Sequence, residues 1–247
     1  KGIKIIAIVA PGVAASFPNE YLNLNGWIKS IGISAIFDVS FGAELTVKSY
    51  IDLMKTSNKK MVISQPCPVL VNYIEIYYPE LIPYLAPVDS PMGHTMKMIR
   101  EFYPQYRDYK IAAFSPCIAK KREFEATGLG NYNITFRSLR KYFNEKKVSI
   151  LSFPELEYDN PPAERAVLFS TPGGLLRTAE RWNQDIKKIT RKIEGTQVIY
   201  KYISQLPEVL SKGINPLLID CLNCEAGCNG GTGTELADKP IDELEKL

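Results

Sequence analysis

Cysteine placement constrains this chain more tightly than any hydrophobic pattern. Cys67 and Cys117 stand alone and far apart, each beside prolines, while Cys224-Glu225-Ala226-Gly227-Cys228-Asn229-Gly230-Gly231 packs two more thiols and several glycines into one turn. If these four thiols hold one metal centre, three distant segments must end at the same place. A disulfide framework is the weaker explanation, because the chain has five cysteines, an odd number, and its 247 residues, 45% of them hydrophobic, are enough to build a core without staples. Thiolate is the soft ligand that selects iron-sulfur clusters, zinc or cuprous copper. Closed all-cysteine zinc sites use two close pairs, whereas two of the four candidates here are solitary, which favours an iron-sulfur cluster and leaves zinc as the alternative.

The rest of the sequence offers a fold able to gather them. Short β-branched runs alternate with amphipathic stretches, the sign of an α/β fold. Strands are predicted over 3–9, 33–39, 60–64, 110–114, 166–169 and 216–220, and helices over 21–31, 45–56, 69–77, 92–102, 136–146, 174–183 and 203–212. Pro79, Pro83, Pro87 and Pro91 make the stretch between two helices a structured loop. The acidic, proline-rich segment 154–162 reads as a surface excursion. Cys67, Cys117 and the 221–228 cluster each follow a strand-like run, and ligands of open α/β sheets gather beyond the carboxyl ends of the strands. All can therefore reach one crevice.

Composition removes several classes. The formal charge of +3 comes from nearly balanced acids and bases with no long basic run, so neither a nucleic acid nor a membrane partner is implied. No apolar stretch approaches the ~20 residues of a membrane span, and the first ten residues lack the features of a secretory signal. The expected location is cytoplasmic. The chain starts at Lys1 rather than methionine, which reads as a domain cut from a longer protein.

Taken in order, the motifs resemble the three signature loops of the catalytic domain of FeFe-hydrogenases. Ser64-Gln65-Pro66-Cys67-Pro68, followed by Val71-Asn72-Tyr73-Ile74-Glu75 and Tyr78-Pro79-Glu80-Leu81, is similar to the first loop and its trailing helix. Ser90-Pro91 matches the Ser-Pro that follows, Ser115-Pro116-Cys117-Ile118-Ala119-Lys120-Lys121-Arg122-Glu123 resembles the second loop, and Cys224-x-x-Gly-Cys228-x-Gly-Gly the third. Weaker matches at Ala10-Pro11-Gly12-Val13, Phe37-Asp38, Phe41 to Thr46 and Phe169 to Gly174 extend the resemblance over essentially the whole chain.

The resemblance implies that Cys67, Cys117, Cys224 and Cys228 ligate a 4Fe-4S cluster. Cys228 would also bridge to a diiron subcluster carrying carbon monoxide, cyanide and an azadithiolate bridge. Lys120 would donate to a cyanide, as suits a compact cationic donor. Pro11, the backbone at Gly12, Phe169 and Ser170 would line the pocket, and Gly230 and Gly231 would let the backbone pass close to the cluster. The implied architecture is two lobes of twisted, mostly parallel sheets flanked by helices, with the metal centre in the cleft. The first lobe, about 1–105, would supply Cys67, and the second, about 106–247, Cys117, Cys224 and Cys228. The implied reaction interconverts hydrogen with protons and electrons, with electrons leaving through the 4Fe-4S cluster to an iron-sulfur domain or ferredoxin-like partner. Maturation proteins would supply the diiron unit.

The chain departs from that pattern at the proton path. Prototypes carry two adjacent cysteines in the first loop and pass protons through the first of them; here that position is Pro66. The next relay positions, two glutamates and a serine, fall at Tyr50, Leu53 and Ala86, and methionines of the prototypes fall at Ser115 and Leu222. Such changes resemble the sensory branch of the family, so slow hydrogen chemistry serving hydrogen or redox sensing is expected, with a fused or separate signalling partner. Glu225 or pocket water is an alternative proton path. A rival reading is a cluster-assembly protein carrying only the 4Fe-4S cluster, against which Lys120 and Pro11 argue. Cys221 reads as a small buried hydrophobe, His94 as a structural residue, and 187–192 as a solvated helix end or turn. Gly173-Gly174, with no Lys-Ser or Lys-Thr after it, is no phosphate loop.

Overall fold

The computed structural model describes residues 2–57, 59, 61–214, 217–236 and 239–240. The expected starts of two strands, Lys60 and Pro216, lie outside these described residues. β1 (Ile5–Val9) is the apolar run before Pro11, and Ile6 to Val9 are fully buried. It lies between β2 (Ile36–Asp38) and β4 (Lys110–Ser115), and β5 (Tyr132–Thr135) completes a sheet of order β2-β1-β4-β5. A second sheet joins β3 (Val62–Ile63), β7 (Leu218–Leu222) and β6 (Thr190–Glu194) in that order. Every pairing in both sheets is parallel.

Adjacent strand residues point to opposite faces, and the second sheet uses both. Val62 and Leu218 pack with Ala43, Val47 and Tyr50 of α3 (Val39–Thr56). Ile63, Ile219 and Cys221 pack on the other face with Leu70 and Ile74 of α4 (Pro68–Tyr77) and Ile199 and Ile203 of α9 (Thr196–Ser211). Covered on both sides, such strands read as continuous apolar runs.

The two sheets do not divide the chain near residue 105. The first draws β1 and β2 from before that point and β4 and β5 from after it; the second does the same with β3, β6 and β7. Parallel pairing requires a long crossover between neighbours, and α3 carries the chain from the edge of one sheet to the other, so the lobes interleave. Cys117 consequently stands beyond the first sheet, while Cys67, Cys224 and Cys228 stand beyond the second.

Other expectations shift for local reasons. Segment 166–169 is not a strand: its residues form a 3-10 turn, Ala166–Leu168, because the Glu44 carboxylate takes the N–H groups of Glu164, Arg165 and Ala166 at 3.1, 2.8 and 3.0 Å. The polar edge strands β5 and β6 had no apolar run to announce them. The basic stretch after Gln184 is a 3-10 turn, Gln184–Lys188, that runs into β6. α3 starts at Val39 rather than 45, where the Asp38 side chain caps it by accepting from the Ser40 N–H at 2.8 Å. α6 (Lys120–Thr127) was missed because its surface is almost wholly charged. α7 (Phe136–Lys146) falls where expected, capped by Thr135; α1 (Val13–Ser16) follows Pro11, and α8 (Gly174–Ala179) ends short of the expected residue 183.

Segment 154–162 lies on the surface but is fastened there. Leu156 N–H donates to Leu22 O of α2 (Tyr21–Ser30), and the side chains of Asp159 and Asn160 accept from the N–H groups of Ile36 and Asp38, both at 2.7 Å. It covers the edge of β2 that would otherwise be open. Gly42 shows how tightly the helices meet. A Cβ there would lie 2.1 Å from Thr95 Oγ1 and 2.3 Å from Pro91 O, both on α5 (Pro91–Phe102).

Candidate metal centre

The carboxyl ends of β3, β4 and β7 deliver the cysteines. Cys67 is the residue before α4, with Pro68 at the first helical position, where its missing N–H costs nothing. Cys117 turns from β4 towards α6. Its loop is braced by Ser115, whose buried hydroxyl donates to Asn133 Oδ1 at 2.6 Å, and by Asn133 Nδ2, which donates to Cys117 O at 2.9 Å. Ser115, at a position where the prototypes carry methionine, thus braces this loop. Cys224 follows β7, and Cys228 sits in the 3-10 turn Gly227–Gly230.

These loops enclose a cavity of about 190 Å3 whose lining includes Cys67, Cys117, Cys224 and Cys228 together with Leu222 and Asn223. All five cysteines of the chain are free thiols. The thiols ring a volume instead of closing on a point: among the described residues, no group of three or more His, Cys, Asp or Glu is placed to hold a single metal ion. Burial pushes the Cys228 thiol well above its ordinary range, and the neighbouring sulfurs of Cys224, Cys67 and Cys117 push it further. Cys224 is pushed up to about 11 by burial and by Cys67 and Cys117. Cys117 is also raised by burial, against the opposing pull of the Lys120 charge and the N–H groups of Ala119 and Lys120. Three thiols raised in this way, ringing one cavity with Cys67, become stable thiolates together only around a cationic centre. The donor set fits an iron-sulfur cluster.

Beside this cavity lies a smaller recess, about 50 Å3, which shares Pro66, Cys117, Lys120 and Cys228 with it and adds Pro11, Met92, Phe169 and Ser170. Lys120 is only 8% exposed; its Nζ donates to Pro66 O at 3.1 Å and pairs with the Glu123 carboxylate. Ser170 Oγ is buried with no hydrogen-bond partner among the described residues. A buried hydroxyl without a partner carries a cost of about 1–3 kcal/mol, and here it lines a largely apolar recess that Lys120 also lines. That pair of donors suits a group bearing cyanide acceptors.

The remaining expected residues are placed as follows. Gly12 lies behind Pro11, where a Cβ would meet Asn229 Oδ1 at 3.2 Å and Pro116 Cγ at 3.5 Å. Gly231 lines the larger cavity, but its missing side chain makes room for backbone: a Cβ would stand 2.4 Å from Pro116 O. Gly230 faces Ala226 and lines a separate outer cavity with Glu225, which is exposed. Cys221 is buried in the core against Ser64. His94 is half-buried, with Nδ1 3.0 Å from both Thr46 Oγ1 and Asp89 O, and burial lowers its pKa.

Sequence reasoning assigned no role to Glu123, Asn133, Asn223 or Glu44. Glu123 sits in a recognised motif and was there to be found. Asn223, one residue before Cys224, has Nδ2 at 4.0 Å from its sulfur and accepts from the Tyr200 hydroxyl. Asn133 lies in a polar edge strand and carries no signal. Glu44 holds the turn that leads into Phe169 and Ser170.

Comparison with known proteins identifies the family. A profile of the family described as "Iron only hydrogenase large subunit, C-terminal domain" matches residues 3–232. The chain belongs to that family. It is 25% identical over 230 residues to Iron hydrogenase 1 of Clostridium pasteurianum, covering 82% of this chain and 40% of that protein. It is 22% identical to the Periplasmic [Fe] hydrogenase large subunit of Nitratidesulfovibrio vulgaris, covering 99% and 72%. A third relative, the Cytosolic Fe-S cluster assembly factor NAR1 of Yarrowia lipolytica, is 24% identical over 53% of this chain and 30% of that protein. The fold matches that of an apo [FeFe]-hydrogenase HydA1 variant from Chlamydomonas reinhardtii with a TM-score of 0.75 at 20% identity, covering 98% of this chain and 82% of that one. The chain thus spans less than half of the clostridial relative, and relatives carry both periplasmic and cytosolic names. No helix among the described residues is long and apolar enough to cross a membrane.

Proposed function

We propose that this domain holds a 4Fe-4S cluster on Cys67, Cys117, Cys224 and Cys228, joined through Cys228 to a diiron subcluster with carbon monoxide, cyanide and azadithiolate ligands, and that it interconverts hydrogen with protons and electrons slowly, in the service of hydrogen or redox sensing. The observation that carries this reading is the shared wall: the thiol-ringed cavity and the Lys120-Ser170 recess meet at Cys117 and Cys228. When bound, the diiron group supplies an open iron that polarises hydrogen for cleavage.

The chain's own residues do the rest. Lys120 and Ser170, both lining the recess, would hold the group by donating hydrogen bonds to its cyanides. Pro11, Pro66 and Phe169 exclude water, which strengthens every charge interaction in the recess. A ferredoxin-like iron-sulfur partner would exchange electrons with the cluster these cysteines hold, maturation proteins would supply the diiron unit, and a fused or separate signalling domain would read the result. Pro66, with no ionisable group, is the reason for slow turnover. The free thiols suit a reducing, cytoplasmic setting.

The test is reconstitution with iron and sulfide and then with a diiron mimic, followed by infrared spectroscopy and hydrogen evolution with a strong reductant. Carbon monoxide and cyanide bands with feeble turnover are expected. Vigorous turnover would remove the sensory reading. Pro66 and the likeness to NAR1 favour a second reading, a non-catalytic protein carrying only the 4Fe-4S cluster, and the absence of those bands after reconstitution would select it.

A further inference from the structure

We propose that Glu123 is the group through which the recess exchanges protons with water, replacing the ionisable side chain missing at Pro66; this rests on the function proposed above. Glu123 lies on α6, one turn after Lys120, and its two oxygens have different partners. Oε2 pairs with Lys120 Nζ, and Oε1 accepts from the hydroxyl of Ser90, the buried cap of α5. Lys120 lines the recess. Glu123 itself also lines a second cavity of about 200 Å3 on the far side of the wall, with Gln65, Glu75, Arg122 and Thr127. Glu75, Arg122 and Thr127 are exposed, and the Glu123 side chain is 17% exposed. One carboxylate therefore touches both the ammonium facing the recess and a groove open to water.

The alternatives are worse placed. Tyr50 is fully buried, its hydroxyl is engaged by the Gln65 N–H at 3.0 Å, and burial holds it far above the usual phenol range. Glu225 faces the outer cavity beyond Cys224, away from Lys120 and the recess. The charged and titratable groups around Glu123 are Lys120, Arg122, Glu75 and, within electrostatic reach, Tyr50.

The step conserves charge and atoms. As one N–H bond of Lys120 breaks, an O–H bond forms on Glu123, while a proton arriving from the recess restores the ammonium. Glu123 then releases its proton to water in the groove. Lys120 is an ammonium before and after, and the reverse sequence feeds protons inward.

The experiment compares the matured wild type with Glu123→Gln and Glu123→Asp. Expected in the wild type are carbon monoxide and cyanide bands and, on changing the redox state, a protonated-carboxyl infrared band that shifts in deuterium oxide. E123Q should lose that carboxyl band and slow hydrogen-deuterium exchange by about a hundredfold, the scale of general acid-base catalysis. E123D should retain part of both, and added formate should partly rescue E123Q, which a purely structural role would not allow. If E123Q fails to take up the diiron unit, E123D and Ser90→Ala carry the comparison, the latter expected to show a smaller loss. Diiron bands with an unchanged rate and carboxyl band in E123Q would overturn the relay while leaving the proposed function intact. Absence of the diiron bands in the wild type would overturn the proposed function and the relay with it.

Discussion

The larger cavity and the smaller recess share a wall yet are made from different materials. The larger is ringed by sulfur on loops that leave strand ends directly, so its geometry follows from two parallel sheets. The recess is lined mostly by prolines and other apolar side chains, with Lys120 and Ser170 as its polar side chains beyond the shared cysteines, and these come from α6 and from a turn held by Glu44. Topology places the sulfurs; a few individual side chains decide what the recess can do. The first should tolerate little change and the second should be tunable.

The sharpest way to break this contrast is Cys224→Ser, which changes the lining of the larger cavity and not that of the recess. Nearly complete loss of cluster iron is expected, read by iron content and visible absorption; retention of a full cluster would mean the sulfur ring is not the ligand set. Next is Lys120→Met, which should abolish the cyanide and carbon monoxide bands while leaving iron-sulfur absorption in place. Loss of both signals together would show that the two spaces are not separable.

A third change lies outside both spaces. Asp220 is buried and pushed up to about 7 by desolvation, against the pull of the Leu176 N–H. Because its folded pKa exceeds an unfolded value of about 3.9, the folded state holds the proton more tightly. Its stabilising contribution is complete below about pH 4 and is lost as pH rises through about 7, by roughly 4 kcal/mol at most. Asp220→Asn should flatten that decline in urea denaturation between pH 5 and pH 8; an equally steep decline in the variant would assign it elsewhere. Glu44→Ala should cost about 1–3 kcal/mol by leaving three N–H groups without their acceptor. It should also weaken diiron retention more than cluster retention, measured by infrared intensity against iron content. The smallest expected effect is a modest gain in turnover from Pro66→Cys, measured by hydrogen evolution, since the downstream positions Tyr50, Leu53 and Ala86 stay as they are.

What the sequence made legible follows the same division. The cysteine loops could be read because strand-forming runs precede them and because Pro68 and the glycines mark their turns. The interleaving of lobes was hidden, since no local pattern says which parallel strand will lie beside β7. β5 and β6 were hidden because their polar residues sit at sheet edges. The turn at 166–168 looked like a strand because its apolar residues gave no hint that Glu44, more than a hundred positions earlier, would claim its N–H groups. Glu123 was visible as a motif letter, but only the packing of α6 against the loop before α4 put it between the ammonium and open water.

The interleaved sheets have a consequence for assembly. From β1 and β2 the chain crosses to β3, returns for β4 and β5, and crosses again for β6 and β7; Gly233 then ties back, its N–H bonding Pro116 O at 2.8 Å and its carbonyl accepting from Arg137 N–H at 2.7 Å. Halves sewn together this many times cannot swing apart like jaws. An inorganic unit loaded after folding would therefore rely on side-chain adjustments rather than on whole lobes parting.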